Sequence, residues 1–321
     1  MSFTSDTKQE LHTLPSDDCC RLAELSALLS VNGHLTISSQ GVHVTFITTS
    51  LPLARKVITS IKKLYHIEVE VMSKKQLKLK KHNQYIVTIK DKAHKIINEL
   101  ALMHDSLGYA QTIDRTLLLK TCDQRAYIRG TFLASGSINH PRSSSYHCEI
   151  NVQSESYAKS LTELLNEYDL KAKYIAKRNQ YIVYIKESEK IADFLRIIGA
   201  TGALLTFEDE RIKRDFVNSI TRVMNMELAN QNKTLEAANR QLKDIAVLEN
   251  LVEIDKLPTS VHEAIFLRKR YPEASLVELS EKSAQHFSKP VSKSGLNHRF
   301  RNIKTIAEEI LNEFNDQRSR N

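Results

Sequence analysis

The spacing of apolar residues changes twice along the chain, and each change predicts a different kind of structure. Up to about residue 200, segments with helical spacing are interspersed with segments in which apolar and polar residues alternate, as in half-buried strands. From residue 207 to residue 250, apolar residues recur every three or four positions without Gly or Pro. This stretch predicts one amphipathic helix, or two helices with a break near Asn230–Asn232. The remaining residues predict three shorter helices.

The first part of the chain contains an internal duplication. Residues 83–90 recur at 179–186 with only Thr88 and Tyr184 differing, an offset of 96 residues. The predicted elements follow the same order in both copies. The predicted helices are Thr4–Glu10, Leu22–Gly33, Pro52–Tyr65, Ala93–Met103, Ala126–Gly136, Ser156–Tyr168 and Lys190–Ile198. The predicted strands are His34–Ser38, Val42–Thr48, Ile67–Met72, Tyr85–Ile89, His147–Val152, Lys171–Ile175 and Tyr181–Ile185, with a turn at Ser39–Gly41.

Two short apolar helices also match each other, with an offset of 103 residues. Leu25–Gly33 and Ile128–Gly136 each carry a small residue at the third position, Ala27 and Gly130, and each ends in Gly. Small residues at matched positions let two helix backbones approach closely, so we expect these helices to pack against each other. The terminal glycines suit the left-handed turn that closes many helices.

The C-terminal segment predicts a group of three helices. Val261–Arg270 has helical spacing, and Ser275 forms a capping box with Glu278 at the start of a second helix. The third helix is Ser292–Phe314. Its apolar residues fall on one seam, which we expect to be buried, and they are Leu296, Phe300, Ile303, Ala307 and Ile310.

A second face of this last helix has the chemistry of DNA recognition. At about 100° per residue, four polar residues share a face about 80° wide; they are Lys293, Asn297, Arg301 and Lys304. Arg299 lies beside the apolar seam, where it suits a phosphate contact or a salt bridge. Helices in this order form a helix-turn-helix, in which the second helix enters the major groove of DNA. Similar helix pairs also occur in domains that bind protein partners.

Composition adds a mild preference for polyanionic partners. The 321 residues suffice for two or three domains, and 46 Lys and Arg against 38 Asp and Glu give a formal charge of +8. The basic run Lys74–Lys81 fits either a phosphate-binding segment or a solvated hairpin tip. The segment His140–Arg142 fits a turn, with a phosphate contact as the alternative.

The cysteines and the N-terminus indicate a protein of the cytosol. Cys19, Cys20, Cys122 and Cys148 show neither C-x-x-C nor other metal-type spacing, so we expect reduced structural thiols and no bound metal. The first residues are polar and lack the apolar core of a secretory signal. No apolar run approaches the ~18 residues of a membrane-spanning helix, so we expect no membrane contact.

The two matched helices resemble the paired helices of LAGLIDADG homing endonucleases, in which the acidic residue before the final Gly binds catalytic magnesium. Asn32 and Ser135 occupy those positions here. Magnesium prefers hard, anionic oxygen ligands, and two-metal cleavage of a phosphodiester needs their charge. The nearest acidic residues are Asp17, Asp18, Glu24 and Glu149. The resemblance therefore implies the fold without the nuclease activity.

Nearly the whole chain resembles the WhiA family, the sporulation and cell-division regulators of Gram-positive bacteria. The resemblance is carried by Ile128–Ser137, Asn218 to Gln241 and Ser275–Phe300, especially Ser292–Arg299. It implies an α+β fold with a duplicated LAGLIDADG-like αββαββα domain, then a linker helix and an all-α helix-turn-helix domain. The implied boundaries are residues 1–105 and 106–200 for the two repeats, 201–250 for the linker helix and 251–321 for the DNA-binding domain.

The resemblance also implies a function. We expect a protein that binds double-stranded DNA, acts in cell division and chromosome segregation, regulates transcription, and uses neither a cofactor nor a small-molecule substrate. RNA polymerase or another regulator is a further candidate partner, and the expected location is cytoplasmic and nucleoid-associated. The expected DNA contacts are Ser275, Lys293, Ser294, Asn297, His298, Arg299, Arg301 and Lys304. Candidate contacts to a partner or to DNA on the linker are Arg214, Asn218, Arg222, Asn225, Asn230 and Asn232.

The sequence is also compatible with two other functional classes. One is a LAGLIDADG-type enzyme, either a nuclease or an RNA maturase, and a maturase would not need carboxylates at Asn32 and Ser135. A comparison of RNA binding with DNA binding separates the maturase from a DNA regulator. The other class is a scaffold whose long helix recruits a protein partner.

Overall fold

The computed structural model describes residues 2–38, 41–75, 83–103, 112–251 and 257–318. Its contacts divide the chain into two units, Met1–Asp215 (unit 1) and Phe216–Asn321 (unit 2). The predicted turn residues Ser39 and Gln40, and the part of the basic run from Gln76 to Lys81, lie outside the described residues. Among the described residues, no helix combines the length and the apolar composition that crossing a bilayer requires.

Unit 1 contains two copies of one arrangement of helices and strands, preceded by helix α1 (Phe3–His12). The first copy is formed by α2 (Asp18–Asn32), β1 (Gly33–Ser38), β2 (Gly41–Thr48), α3 (Leu51–Tyr65), β3 (Glu70–Lys75), β4 (Asn83–Ile89) and α4 (Ala93–Glu99). The second copy is formed by α5 (Thr121–Ser135), β5 (Gly136–Ile138), β6 (Cys148–Val152), α6 (Glu155–Asn166), β7 (Lys173–Lys177), β8 (Gln180–Ile185) and α7 (Ser188–Ile198). The duplication that the repeated sequence predicts is therefore confirmed.

Each copy contains one four-stranded antiparallel sheet, and the strand order is the same in both, β1-β2-β4-β3 and β5-β6-β8-β7. The buried residue Phe46 of β2 lies opposite Val87 of β4, and Ile150 of β6 lies opposite Val183 of β8. Neighbouring positions along these strands alternate in burial because successive side chains point to opposite faces of a sheet. The apolar face of each sheet therefore packs into the core of unit 1.

Helices α2 and α5 pack against each other through the small residues that the sequence singles out. A Cβ atom added to Gly130 would lie 2.7 Å from the backbone oxygen of Glu24 and 2.8 Å from the Cβ of Ala27. Contacts between carbon atoms are favourable only at about 3.5–4.0 Å, so any side chain at position 130 would force the helices apart. The predicted close approach is therefore confirmed.

The predicted left-handed turn at the ends of these helices is wrong. Gly33 has φ −88° and Gly136 has φ −74°, with extended ψ values of 153° and 152°. Each glycine leads directly into a strand, so the backbone stays in a region open to any residue. A Cβ on Gly136 would lie 2.1 Å from Cδ2 of Phe132, which shows that this glycine makes room for a packed aromatic ring.

Several element boundaries differ from the sequence prediction. Strand β3 begins at Glu70 rather than Ile67, because its pairing with β4 runs from Glu70 opposite Thr88 to Lys75 opposite Asn83. Strand β7 is likewise shifted toward the C-terminus, to Lys173–Lys177. Helix α4 ends at Glu99 rather than Met103, because Ala101 has φ 48° and the backbone N–H of Leu102 donates to Ile97. Periodicity does not reveal such local terminations.

Helix α8 (Thr201–Leu251) is one continuous helix, which confirms the unbroken alternative and excludes the break near Asn230–Asn232. Its first turns belong to unit 1, where Phe207 is fully buried, and its last turns belong to unit 2, where Ile245 and Leu248 are buried. The apolar stripe between them is uncovered, since Phe216 is 65% exposed. Only the two ends of the stripe therefore contribute to a core.

All the described secondary-structure elements of unit 2 are helices, which are the C-terminal part of α8 with α9 (Thr259–Arg270), α10 (Leu276–His286) and α11 (Lys293–Arg318). The predicted capping box is confirmed, because the Ser275 hydroxyl accepts from the Glu278 N–H and the Glu278 carboxylate accepts from the Ser275 N–H. The predicted seam of α11 is also confirmed at four positions, which are Leu296, Phe300, Ile303 and Ala307. Ile310 is half-buried beside them.

Candidate nucleic-acid interface

The C-terminal ends of α2 and α5 have no carboxylate at the positions matched to the nuclease metal ligands. The Asn32 side-chain amide donates to the backbone oxygen of Ala134 at 3.1 Å, so it ties the two helix ends together. The backbone oxygen of Ser135 accepts from the Asn151 amide at 3.5 Å. The Asn32 bond joins α2 to α5 and the Asn151 bond joins β6 to α5. Neither neutral side chain provides an anionic ligand for magnesium.

The acidic residues near these helices serve other purposes. Asp17 and Asp18 lie at the start of α2, at the opposite end of the helix from Asn32. Glu24 is buried, and its carboxylate pairs with Lys56 at 2.9 Å and with Arg129 at 3.0 Å. Glu149 accepts from the Ser137 hydroxyl at 3.3 Å and lies 3.2 Å from the His147 ring. Among the described residues, the one group of at least three converging Cys, His, Asp or Glu side chains lies away from Asn32 and Ser135.

The N-terminal turns of α11 present the side chains that the sequence predicts for DNA contact. Lys293, Ser294, Asn297 and His298 are exposed there. The Ser292 hydroxyl accepts from the Gly295 N–H at 3.1 Å and so caps the helix. The first turn of a helix carries unpaired N–H groups and a partial positive charge, which favour a phosphate.

The polar face of α11 borders a groove against the last turns of α8. The groove has a volume of about 320 Å³, and nine residues line it. Four of them are basic and one is acidic; the charged residues are Arg240, Lys243, Arg301, Lys304 and Asp244. Asn297 lies on the same wall as Arg301 and Lys304. The structure therefore brings together three of the predicted residues and adds Arg240 and Lys243, which sequence reasoning missed.

Two of the predicted contacts are already engaged in the fold of unit 2. The Arg299 guanidinium pairs with Glu263 of α9 at 2.5 Å, which is the salt-bridge alternative left open by the sequence. Ser275 uses both its hydroxyl and its N–H in the capping box. Arg299 therefore joins α11 to α9, and Ser275 fixes the start of α10.

Arg268 of α9 is buried, with only 2% of its surface exposed, and it holds the turn before α10. Its guanidinium donates to four oxygen atoms, which belong to Gln241, Tyr271, Pro272 and Ala274, at 2.9, 3.3, 3.3 and 2.6 Å. The guanidinium carbon also lies 5.4 Å from the centre of the Phe300 ring. Burial lowers the pKa of Arg268 to about 10. One side chain thus connects α8, α9, α11 and the loop that leads into α10.

The candidate linker residues divide into one engaged residue and five exposed ones. Arg214 donates to the backbone oxygens of Ser143 and Ser144 at 2.8 and 2.6 Å, so it holds α8 within unit 1. The exposed residues are Asn218, Arg222, Asn225, Asn230 and Asn232. A spacing of seven residues falls about 20° short of two helical turns, so the asparagines at 218, 225 and 232 share one side of the helix.

The predicted turn at His140–Arg142 is also tied to α8. The Arg142 guanidinium donates to both carboxylate oxygens of Glu210, at 2.7 and 2.9 Å. These bonds, with a further one from Lys213, lower the pKa of Glu210 to about 2. The turn and the start of α8 are thus joined by ion pairs inside unit 1.

The fold and the site define a class of proteins with two parts. One part is a duplicated LAGLIDADG-like unit with neutral residues at the catalytic positions, and the other is a helix-turn-helix unit. The WhiA family models match three segments, the N-terminal LAGLIDADG-like domain at residues 18–103, the LAGLIDADG-like domain at 124–217 and the C-terminal helix-turn-helix domain at 220–307. The probable cell division protein WhiA of Oceanobacillus iheyensis is 46% identical over 97% of this chain and 98% of its own length. The chain therefore belongs to the WhiA family.

Further relatives also match over nearly the whole length of the chain. The probable cell division protein WhiA of Bacillus mycoides is 43% identical over 97% of both chains. The crystal structure of full-length WhiA from Thermatoga maritima matches with a TM-score of 0.58 and 23% identity, over 97% of this chain and 99% of that one. At that identity the structural match establishes the fold, a duplicated α+β unit followed by a helix-turn-helix unit.

Proposed function

We propose that this protein is a sequence-specific DNA-binding regulator that acts in cell division and chromosome segregation and has no nuclease activity. The groove between α8 and α11 carries the proposal, because it combines four basic residues with the amide of Asn297. Basic side chains supply the affinity for phosphate, while an amide such as that of Asn can pair with the edge of adenine. Membership of a family of probable cell division proteins supports the cellular role.

In this proposal the residues of α11 have separate tasks. Lys293, Arg301 and Lys304 contact phosphates, together with Arg240 and Lys243 on α8. Asn297 reads a base, with His298 as its neighbour on the next face and Ser294 in the first turn. The protein is then cytoplasmic and nucleoid-associated, with double-stranded DNA as its partner and RNA polymerase as a candidate second partner in transcription.

The division of tasks on α11 gives the first test. Asn297→Ala should weaken binding to the preferred duplex by ~1–3 kcal/mol and leave binding to a scrambled duplex unchanged, because an amide reads bases and carries no charge. Lys293→Ala should weaken binding to both duplexes alike. It should also make the slope of log affinity against log salt concentration shallower by ~1. The preferred duplex is found by genome-wide mapping of bound DNA, and anisotropy titrations at several salt concentrations measure both variants.

The matched control for this test is Asn302→Ala, because Asn302 is an exposed asparagine of α11 that lies about 140° around the helix from Asn297. It should bind both duplexes like the unchanged protein. Equal losses on the two duplexes for Asn297→Ala would rule out base reading at that position. Tighter binding to RNA than to DNA of the same sequence would favour the maturase alternative.

A second test concerns the missing nuclease ligands. The purified protein with magnesium or manganese should leave a supercoiled plasmid containing the preferred site uncut, because Asn32 and Ser135 supply no negative charge for a metal pair. Conversion to nicked or linear plasmid is measured on a gel. Metal-dependent nicking that disappears in Asn32→Ala or Ser135→Ala would show that the catalytic site is intact.

The exposed apolar stripe of α8 favours the scaffold alternative, and the asparagines of the same segment test it. Asn225→Ala combined with Asn232→Ala should impair cell division in a complementation assay while changing stability by less than ~0.5 kcal/mol, because both side chains are exposed. Normal DNA binding by this double variant would assign the defect to a protein partner. A large drop in melting temperature would instead show that these amides are structural.

A further inference from the structure

Four metal-ligating side chains converge at the N-terminal ends of α2 and α5. Cys19 and Cys20 lie in the first turn of α2, and Cys122 and Asp123 lie in the first turn of α5. Their sulfur and carboxylate oxygen atoms all lie within 4.8 Å of one another. The two helix starts therefore bring three thiols and one carboxylate to a single point.

The cluster follows from the duplication of unit 1. The offset of 103 residues that relates α2 to α5 makes Cys122 the counterpart of Cys19 and Asp123 the counterpart of Cys20. Because the duplicated helices pack side by side, equivalent positions in their first turns meet. The cluster lies about 20 Å along α2 from Asn32, at 1.5 Å per residue, and is thus separate from the nuclease position.

The environment of the cluster differs from that of a structural thiol. Cys148 is buried in the core of unit 1 and fits the expected structural role. Cys20 and Cys122, in contrast, line a cavity of about 560 Å³ that gives access from solvent. Asp123 is buried, and its carboxylate accepts from the thiol of Cys122 at 3.5 Å. The ligands are therefore held in contact and are reachable by an ion.

The donor set indicates the class of cation. Thiolates select soft or borderline ions, and a tetrahedral set with Cys ligands and a carboxylate suits Zn²⁺. Sulfur ligands about 2.3 Å from a tetrahedral zinc ion lie about 3.8 Å apart, so small side-chain rotations would close the present set around it.

The charges around the cavity are compatible with such a site. Four anionic ligands leave a net negative charge around a divalent cation, and Arg125, Arg129 and Arg196 line the same cavity. Arg129 and Arg196 are also paired, with Glu24 and Asp193 respectively. The arginines thus offset the charge of the filled site and do not compete with the ligands for the ion.

We propose that Cys19, Cys20, Cys122 and Asp123 bind one Zn²⁺ ion that fastens the starts of α2 and α5 together. Each thiol that coordinates the ion gives up its proton to solvent, so binding weakens as the pH falls. The role is structural, because four protein ligands leave no open position for a substrate. The site adds to the stability of unit 1 and does not depend on the proposed DNA-binding function.

Co²⁺ and Zn²⁺ titrations of the reduced, chelator-treated full-length protein test the proposal. One Co²⁺ per chain should bind with thiolate-to-cobalt charge-transfer absorption, Zn²⁺ should displace it, and Zn²⁺ should raise the melting temperature. Cys20→Ser, Cys122→Ser and Asp123→Asn should each weaken binding at least ~10-fold. Cys148→Ala is the matched control, since it removes a thiol outside the cluster and should bind Co²⁺ normally.

Three outcomes would overturn the proposal. The first is the absence of charge-transfer absorption at one Co²⁺ per chain. The second is binding that survives in the Cys20→Ser and Cys122→Ser variants, which would place the ion elsewhere. The third is a disulfide among these cysteines in protein prepared without reductant, together with no Co²⁺ uptake after reduction, which would assign the cluster to redox chemistry.

Discussion

Gly130→Ala is expected to destabilise unit 1 by a net ~2 kcal/mol, although alanine is the better helix former. In an uncrowded helix this change would stabilise by about 1 kcal/mol. Here the new methyl group would lie 2.7 Å from a backbone oxygen of α2, which no side-chain rotation relieves. Forcing an extra methyl into a packed core costs about 1–3 kcal/mol or more, so the clash outweighs the gain in propensity. Urea unfolding measures the result.

The contact with Ala27 gives this prediction its internal control. Ala27→Gly combined with Gly130→Ala exchanges the two small residues and removes one of the two close contacts. The double variant should therefore lose less than the sum of the two single changes, with a coupling of ~0.5–3 kcal/mol. Additive losses, or a stabilising Gly130→Ala, would show that α2 and α5 are too far apart for the 2.7 Å contact at position 130.

Arg268→Met is expected to destabilise unit 2 by ~3–5 kcal/mol, because each buried acceptor that loses its donor costs about 1–3 kcal/mol. The apolar replacement keeps most of the volume and removes the guanidinium bonds to three backbone oxygens and the Gln241 side-chain oxygen, of which the Tyr271 oxygen keeps a bond from the Ala274 N–H. Hydrogen exchange followed by mass spectrometry reports the opening free energy of α9–α11 separately from unit 1. DNA binding should then fail at temperatures where the unchanged protein still binds.

Arg270→Met is the matched control, because Arg270 is an exposed arginine of the same helix. It should change stability by no more than ~0.5 kcal/mol. Arg268→Lys should fall between the two, since a lysine carries the charge but lacks the planar fork that reaches several oxygens at once. Equal stability of Arg268→Met and Arg270→Met would mean that the hydrogen bonds of Arg268 contribute nothing net.

The sequence predicts the parts of this fold that depend on neighbours along the chain. Alternation in Val42–Thr48 marks a strand because side chains on a strand change face at every residue. Ser275 and Glu278 form the capping box because both partners lie within one helical turn. The repeat at 83–90 and 179–186 predicts two equivalent sheets because similar segments bury similar faces. In each case the determining contacts are local or repeated.

The parts that depend on distant contacts could not be predicted in this way. No pattern in the sequence assigns Arg240 and Lys243 to the groove. They reach Asn297 only because α8 packs beside α11. From the sequence, Arg299 fits a phosphate contact and a salt bridge equally well. Only the fold shows that Glu263 lies beside it. The continuity of α8 through Asn230–Asn232 was also undecided, because each asparagine costs only ~0.7 kcal/mol or less in a helix that is already formed.

The buried ion pair between Glu24 and Arg129 shows where the duplicated halves differ at equivalent positions. By the offset of 103 residues, the counterpart of Glu24 is Tyr127 and the counterpart of Arg129 is Ser26, so the pair exists once although the fold offers two equivalent places. Two copies of either half would lack the opposite partner. The two halves are therefore not interchangeable at this contact, although they share one strand order.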